Sequence, residues 1–395
     1  MGFNILVVNA GSTSFKFQII EILSEKTLAK GKCENIFSKN TEFFYQGKSV
    51  GYVNTETDGY SACLKKMLAV ICDKNQGVIK SVDEINAVGF KAVMAGEMNY
   101  PAKVDEKVFE KLNEYLFAAP AHNVPYITVM KEMQKLLPST FQAAVFETSF
   151  HNTIEKRAYT YPLNKEIAQK YGIRKYGFHG ASHSYTSYVT QKMGFCRVIS
   201  CHLGGSSSIC AIKDGKSFDT SMGFSPQSGL AMNNRCGDID VSALIYLMKK
   251  AHISLDEMNE ILCEKSGLLG VSGVSGDMRV LLENTKNPDC KTAVDMYVYE
   301  ILKYIGSFAV LLGGADAITF SGGIGENSAE IRKMVCDALN PFGIYLDNAK
   351  NAELSDKIRI ISSENSKVKI MVIPTNEELM VARKTYELFK EELTI

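Results

Sequence analysis

One local pattern occurs twice in this chain, far apart: an apolar strand, a turn of small polar residues, and a second strand. Asn4 to Val8 reads as the first strand, Asn9-Ala10-Gly11-Ser12-Thr13-Ser14 as the turn, and Phe15 to Ile22 as a return strand with alternating apolar residues. The grammar returns at Arg197 to Cys201, His202-Leu203-Gly204-Gly205-Ser206-Ser207, and Ser208 to Ile212, with Asp214-Gly215 closing a further hairpin. A repeat of this kind predicts two similar domains. The 395 residues agree, because one hydrophobic core rarely serves a chain of that length.

A third loop follows another strand: Asp316 to Phe320, then Ser321-Gly322-Gly323-Ile324-Gly325-Glu326-Asn327, then the helical segment Ser328 to Leu339. Strand, glycine turn and helix form an anion-binding sequence, since a helix start offers unpaired N–H groups and the positive end of its dipole. Further helices are predicted over Ser61 to Cys72, Glu106 to Phe117, Ser182 to Met193, Val241 to His252, Thr292 to Leu312 and Asn376 to Glu392. Strands and helices interleave, so the class is α/β.

Lys plus Arg and Asp plus Glu both number 44, which leaves no charge argument for a nucleic acid or a membrane surface as partner. The ten cysteines include no CxxC pair and sit mostly among apolar residues, as reduced core thiols do. The start lacks a basic leader with a long apolar stretch, and no later run reaches a membrane span. The expectation is a cytoplasmic enzyme with small-molecule substrates.

Taken singly, each motif has an ordinary reading. Gly and Ser serve any hairpin turn, but two such hairpins and a glycine-rich strand-to-helix turn are what a nucleotide phosphate chain needs. No GxxxxGK[ST] P-loop occurs. His179 and His183 flank a helix start at a spacing that imitates a zinc pair, yet the Glu of HExxH and a third ligand are missing. A donor to developing negative charge fits His179 better, against the alternative of a core histidine. Arg235, among small polar residues before an apolar helix, has the fork that matches carboxylate or phosphoryl oxygens. Glu147 follows an apolar strand, where it is a site carboxylate or an ordinary strand-end charge.

The segments NAGSTSFKFQ, VFETSFHNT, YGFHGASH, HLGGSSSICAIKDGKSFDTSMGFSP, RCGDID, KSGLLGVSG, GGIGENSAEIR and PTNEELMVAR, in that order, resemble the acetate kinase family. The resemblance implies two duplicated actin/ribonuclease-H-like βββαβαβα domains with the active site in the cleft between them. Residues 1–148 with 382–395 would form the first domain and 149–381 the nucleotide-binding second. It also implies a homodimer, with ATP/ADP and Mg²⁺ as partners in the chemistry. Position by position, the metal ligands fall on Asn9 and Glu377 and a nucleotide-contacting lysine on Lys16. The phosphate loop falls on His202, Leu203, Gly204, Gly205 and Ser206. Adenosine contacts fall on Asp277, Met278 and Arg279 and on Gly323, Ile324, Gly325, Glu326 and Asn327. His179 and Arg235 match the pair that steadies the transferring phosphoryl group, and His122 matches a third site histidine.

Departures gather at the carboxylate end. A substrate-binding arginine is Lys91, an active-site aspartate is Glu147, and the usual HLGNG reads HLGGS, with Gly205 and Ser206. The Gly-Thr before the arginine is Asn233-Asn234. The acyl pocket would comprise Val93, Ala121, Phe178 and Pro226, with Ala121 where a leucine is usual. The expected reaction is direct transfer of the ATP γ-phosphoryl group to acetate or another short-chain carboxylate, or its reverse. Glu147 would orient metal or substrate, and Lys91 would hold the carboxylate. Two alternatives stand beside it: a kinase of a larger acid, and a nucleotide-binding homologue with little turnover.

Overall fold

The computed structural model describes residues 2–38, 41–55, 59–116 and 120–394. The chain forms two units, Met1–Ser149 with Asn376–Ile395, and Phe150–Thr375. The first carries β1 (Asn4–Ala10), β2 (Ser14–Glu21), β3 (Lys26–Glu34), β4 (Thr41–Gln46), β5 (Val50–Thr55), β6 (Ile85–Ala92), β7 (Ala102–Lys103) and β8 (Phe141–Phe146) in one sheet of order β5-β4-β3-β2-β1-β6-β8-β7. The second carries β9 (Arg197–His202), β10 (Ser208–Lys213), β11 (Lys216–Thr220), β12 (Ala317–Ser321), β13 (Arg359–Ile360) and β14 (Lys369–Val372), ordered β11-β10-β9-β12-β14-β13. Each unit has the same heart: an antiparallel three-strand meander whose first strand pairs in parallel with a later strand, which pairs in parallel with a further one. The duplication expected from the two hairpins is therefore a duplication of sheet order.

Alternation decides what each face of these sheets does. Leu6, Val8 and Ala10 of β1 and Val88, Phe90 and Ala92 of β6 join the core packed against the helices Gly59–Ile71 and Pro120–Leu136. The opposite residues, Ala87, Gly89 and Lys91 of β6, face the helix Glu377–Leu393. Gly89 lets that helix approach: a Cβ there would stand 2.4 Å from Thr385 Oγ1 and 3.0 Å from Val381 Cγ1. In the second unit Ile199, Cys201, Ile209 and Ala211 pack against the long helix Pro288–Leu312, while Val198, Cys210 and Ile212 lie under the helix Gly180–Lys192 with its Val189.

Several sequence-based boundaries change. β1 runs through Ala10, so Asn9 belongs to the strand, and the turn proper is Gly11 to Thr13. The return to the first unit comes at Asn376, because Glu377–Leu393 is one unbroken helix that a boundary at 382 would cut. Ser321 to Asn327 is not a loop but a short helix, Gly322–Asn327, directly after β12, with Ser328 capping the next helix through its hydroxyl. Pro120–Leu136, missed in the sequence, is helical despite Pro125 within it. Among the described residues no helix is long and apolar enough to cross a membrane.

The close contact at Gly89 yields a test. Gly89→Ala forces the C-terminal helix outward and is expected to cost about 1–3 kcal/mol of stability, read as a lowered thermal midpoint. An unchanged midpoint would show that the helix does not depend on that approach.

Candidate active site

The ends of parallel strands place one group of side chains in the first unit. Asn9, Lys91 and Glu147 stand at or just past the carboxyl ends of β1, β6 and β8, and alternation turns them to the face from which the helix Glu377–Leu393 begins. The Lys91 ammonium lies 2.9 Å from Glu147 and also pairs with Glu377. Burial works against its charge, but Glu147 and Glu377 outweigh it and hold the lysine pKa well above its ordinary value. Asn9 Oδ1 accepts a hydrogen bond from the Tyr126 hydroxyl at 2.9 Å. Two carboxylates against one ammonium leave a surplus of negative charge.

These donors suit a hard cation. The amide oxygen of Asn9 and the carboxylates of Glu147 and Glu377 are all oxygen ligands, and no group of three or more His, Cys, Asp or Glu forms a cage among the described residues. A site of one or two carboxylates, completed by water and substrate oxygens, is the habit of Mg²⁺.

In the second unit the glycine segments interlock. Leu203 O accepts from the N–H groups of Ile324 at 2.8 Å and Gly325 at 3.0 Å, and Ser207 Oγ accepts from Gly204 N–H at 3.1 Å. Glu326 turns inward, accepting from Gly322 N–H at 2.9 Å and Thr375 N–H at 3.0 Å, so it braces the loop. Arg332, wholly buried, holds the carbonyls of Gly325 and Glu326, each at 2.9 Å, and Asn351. Burial draws its pKa down to about 10, so it stays charged. Between these segments opens a cleft of about 630 Å³, lined among others by Gly204, Gly205, Asn233, Asp277, Gly323 and Asn327, a volume usual for small-ligand sites.

Arg235 and His179 belong to this same unit. The Arg235 guanidinium donates to Ser206 Oγ and to Pro226 O, each at 3.2 Å, and forms no ion pair with a carboxylate among the described residues. Burial lowers its pKa from the ordinary arginine value. Its loop is clamped by Gly267, whose φ of +61° is left-handed and where a Cβ would lie 2.2 Å from Met232 O and 2.6 Å from Arg235 O. His179 also adopts a left-handed backbone, φ 56°, at the start of the helix Gly180–Lys192, a strained conformation for a residue with a side chain.

The expected residues thus divide between the units. Asn9, Lys16, Lys91, Val93, Glu147 and Glu377 fall in the first; Phe178, His179, His202 to Ser206, Pro226, Arg235, Asp277 to Arg279 and Gly323 to Asn327 fall in the second. Lys91, expected to hold the substrate carboxylate, is also paired with Glu147 and Glu377, which flank its ammonium. Asp277 caps the helix Met278–Glu283 and pairs with the exposed Arg279, while Met278 is buried. The side chains of Ala121 and His122 lie outside the described residues. Two departures meet: Asn233 N–H donates to Gly205 O at 3.1 Å, and a Cβ on Gly205 would stand 3.2 Å from the Asn233 amide nitrogen. Sequence reasoning missed Tyr126 and Arg332. The latter had a signal, a lone arginine in GGIGENSAEIR about two helical turns past the glycines.

A glycine-lined cleft of nucleotide size beside the strand ends suits a phosphate chain, and the duplicated sheets that carry it are those of the actin-like kinases. The chain is a phosphotransferase of that class. It belongs to the Acetokinase family, whose profile matches residues 4–383. It is 43% identical to an acetate kinase of Clostridium botulinum over 394 residues, 97% of this chain and 99% of that one. Two crystal structures superpose with a TM-score of 0.89 and 35% identity: Porphyromonas gingivalis acetate kinase, covering 98% of this chain and 100% of that one, and a propionate kinase from Francisella tularensis, covering 98% and 99%.

The buried histidines make the second unit acid-sensitive. Burial is the main cause that takes His151 down to about 4 and His183 well below its ordinary value. In the unfolded chain both take up a proton near pH ~6.5. Between that pH and 4 the unfolded state binds more protons, so stability falls as pH falls, by about 2 kcal/mol at pH ~5 from His151 alone. Calorimetric unfolding from pH ~7.5 to ~4.5 is expected to show the midpoint drop through this window; a level midpoint would contradict the burial of these rings.

Proposed function

We propose that the protein transfers the γ-phosphoryl group of ATP to acetate or another short-chain carboxylate, and the acyl phosphate's phosphoryl group back to ADP. The observation that carries this reading is Arg235, a partly buried guanidinium that no carboxylate neutralises among the described residues. Such a group is set for an anionic ligand. In-line transfer asks little covalent work of a protein, and the charge on three equatorial oxygens is what must be balanced. Arg235 and His179 would supply donors to those oxygens, and the amides of Gly205 and Gly323 would hold the nucleotide phosphates. Asn9 and Glu377, with Glu147 beside them, would hold Mg²⁺, which when bound neutralises phosphate charge. Lys91 would present its ammonium to the acceptor carboxylate while tying Glu147 and Glu377 in place. The acceptor is already ionised at neutral pH, so no general base is needed.

A larger acid is a second reading, supported by Ala121 in place of the usual leucine and by the propionate kinase among the structural neighbours. Such discrimination is worth only about 1–3 kcal/mol per methylene, so a panel of acids decides it. We also place the protein as a homodimer in the cytoplasm. The helix Val241–Ala251 has no buried residue and exposes Val241, Ile245, Tyr246 and Leu247, an apolar strip suited to a second copy. The ten cysteines are free thiols, as a reducing compartment keeps them.

Acyl phosphate formation, trapped with hydroxylamine across acetate, propionate, butyrate and a hydroxy acid, tests the transfer. Arg235→Ala is expected to lower kcat at least about 10²-fold. Activity unaffected in that variant, or absent with every acid from the wild type, would overturn the reading. Light scattering on Ile245→Glu tests the assembly: a dimer in the wild type and a monomer in the variant are expected.

A further inference from the structure

Behind His179 lies a file of alternating imidazoles and hydroxyls that the transfer reaction, as set out above, does not use. His179 Nδ1 is 2.8 Å from Ser208 Oγ, Ser208 Oγ is 2.8 Å from His183 Nε2, and His183 Nδ1 is 2.9 Å from Ser200 Oγ. Ser208, His183 and Ser200 are all wholly buried. The sequence provides this by alternation. Ser200 and Ser208 share the sheet face of β9 and β10 that is apolar further along, at Val198 and Ile212, and the helix Gly180–Lys192 lays His183 over it.

The proton count along the file is constrained. A serine hydroxyl has one proton, so Ser208, between two ring nitrogens, must donate to one and accept from the other. His183 is buried and neutral, with one ring proton, so its two nitrogens also take opposite roles. Only two arrangements remain. In one, His179 Nδ1–H donates to Ser208, Ser208 donates to His183 Nε2, and His183 Nδ1–H donates to Ser200. In the other, every bond is reversed and Ser208 donates to His179 Nδ1. Only the first is compatible with an imidazolium at His179, because both nitrogens of that ion are donors. A phosphoryl group with its negative charge favours the ion, and the file accommodates it without charging His183.

We propose that Ser208, backed by His183, is a positioning residue that keeps Nδ1 of His179 protonated, so that His179 faces the transferring phosphoryl group as a cation. The proposal rests on the transfer reading. Among the described residues, the titratable groups seen against His179 are His183 on its own helix and His202 on β9, whose ring centroid is 4.3 Å away; His151 lies beyond, 5.9 Å from His183. A charged His202 would oppose the cation, and Ser208 is the neutral acceptor that supports it.

The test compares the wild type with Ser208→Ala and Ser208→Cys, the second nearly isosteric and a poor acceptor. Each variant is expected to lose about 10- to 100-fold in kcat, the range for partners that orient a working group, and to move the alkaline limb of the kcat–pH profile to lower pH. ADP affinity by calorimetry is expected to stay within twofold. In the ADP complex, ¹⁵N shifts should show Nδ1 of His179 protonated in the wild type and not in Ser208→Ala. If Ser208→Ala does not fold, Ser208→Cys carries the same reading. A variant that folds, binds ADP and keeps the wild-type kcat and pH limb overturns the proposal, as does a wild-type spectrum with Nδ1 unprotonated. A wild type that makes no acyl phosphate would instead strike the transfer reading, while the ¹⁵N shifts still decide the protonation.

Discussion

The parallel pairing of β6 with β1 and β8, and of β12 with β9 and β14, is the constraint on which the rest depends. Parallel strands end together, so whatever follows them in sequence is brought together in space. In the first unit this gathers Asn9, Lys91 and Glu147, and in the second the His202 to Ser207 turn and the Gly322–Asn327 helix. The antiparallel meander beside each group contributes its first turn and little else.

Within that frame, strand alternation sorts chemistry from packing. β9 sends Ile199 and Cys201 into one core and Ser200 and His202 to the opposite face, so adjacent residues serve unrelated ends. The same rule sets Lys91 on the face away from Phe90. A one-residue slip in either strand would exchange polar and apolar sides wholesale, and the wholly buried residues on both faces hold the register.

Much of this was legible in the chain. The hairpins, the glycine segments and most long helices announce themselves by period and by turn residues, and the family resemblance follows from motifs spread over the whole length. What was not legible depends on partners distant in sequence. Lys91 reads as a substrate ligand, and nothing near it in sequence shows that Glu147 and Glu377 flank it. Glu326 reads as part of a nucleotide loop, but its bracing of Gly322 and Thr375 has no sequence signal. Asn233 and Gly205 look like two separate departures, yet they touch. Ser208 and Ser200 have no motif at all, since only folding shows which serines a histidine meets.

The helix Glu377–Leu393 packs on β1, β6 and β8 and supplies Glu377, although it is the last element of the chain. Synthesis runs from the amino terminus, so β1 leaves the ribosome long before the helix that covers one side of its sheet. The second unit, Phe150–Thr375, is contiguous and complete before that helix emerges. The order of completion can therefore reverse the order of numbering: the unit encoded second can close first, and the unit encoded first waits, with Gly89 and Lys91 uncovered, for the helix Glu377–Leu393.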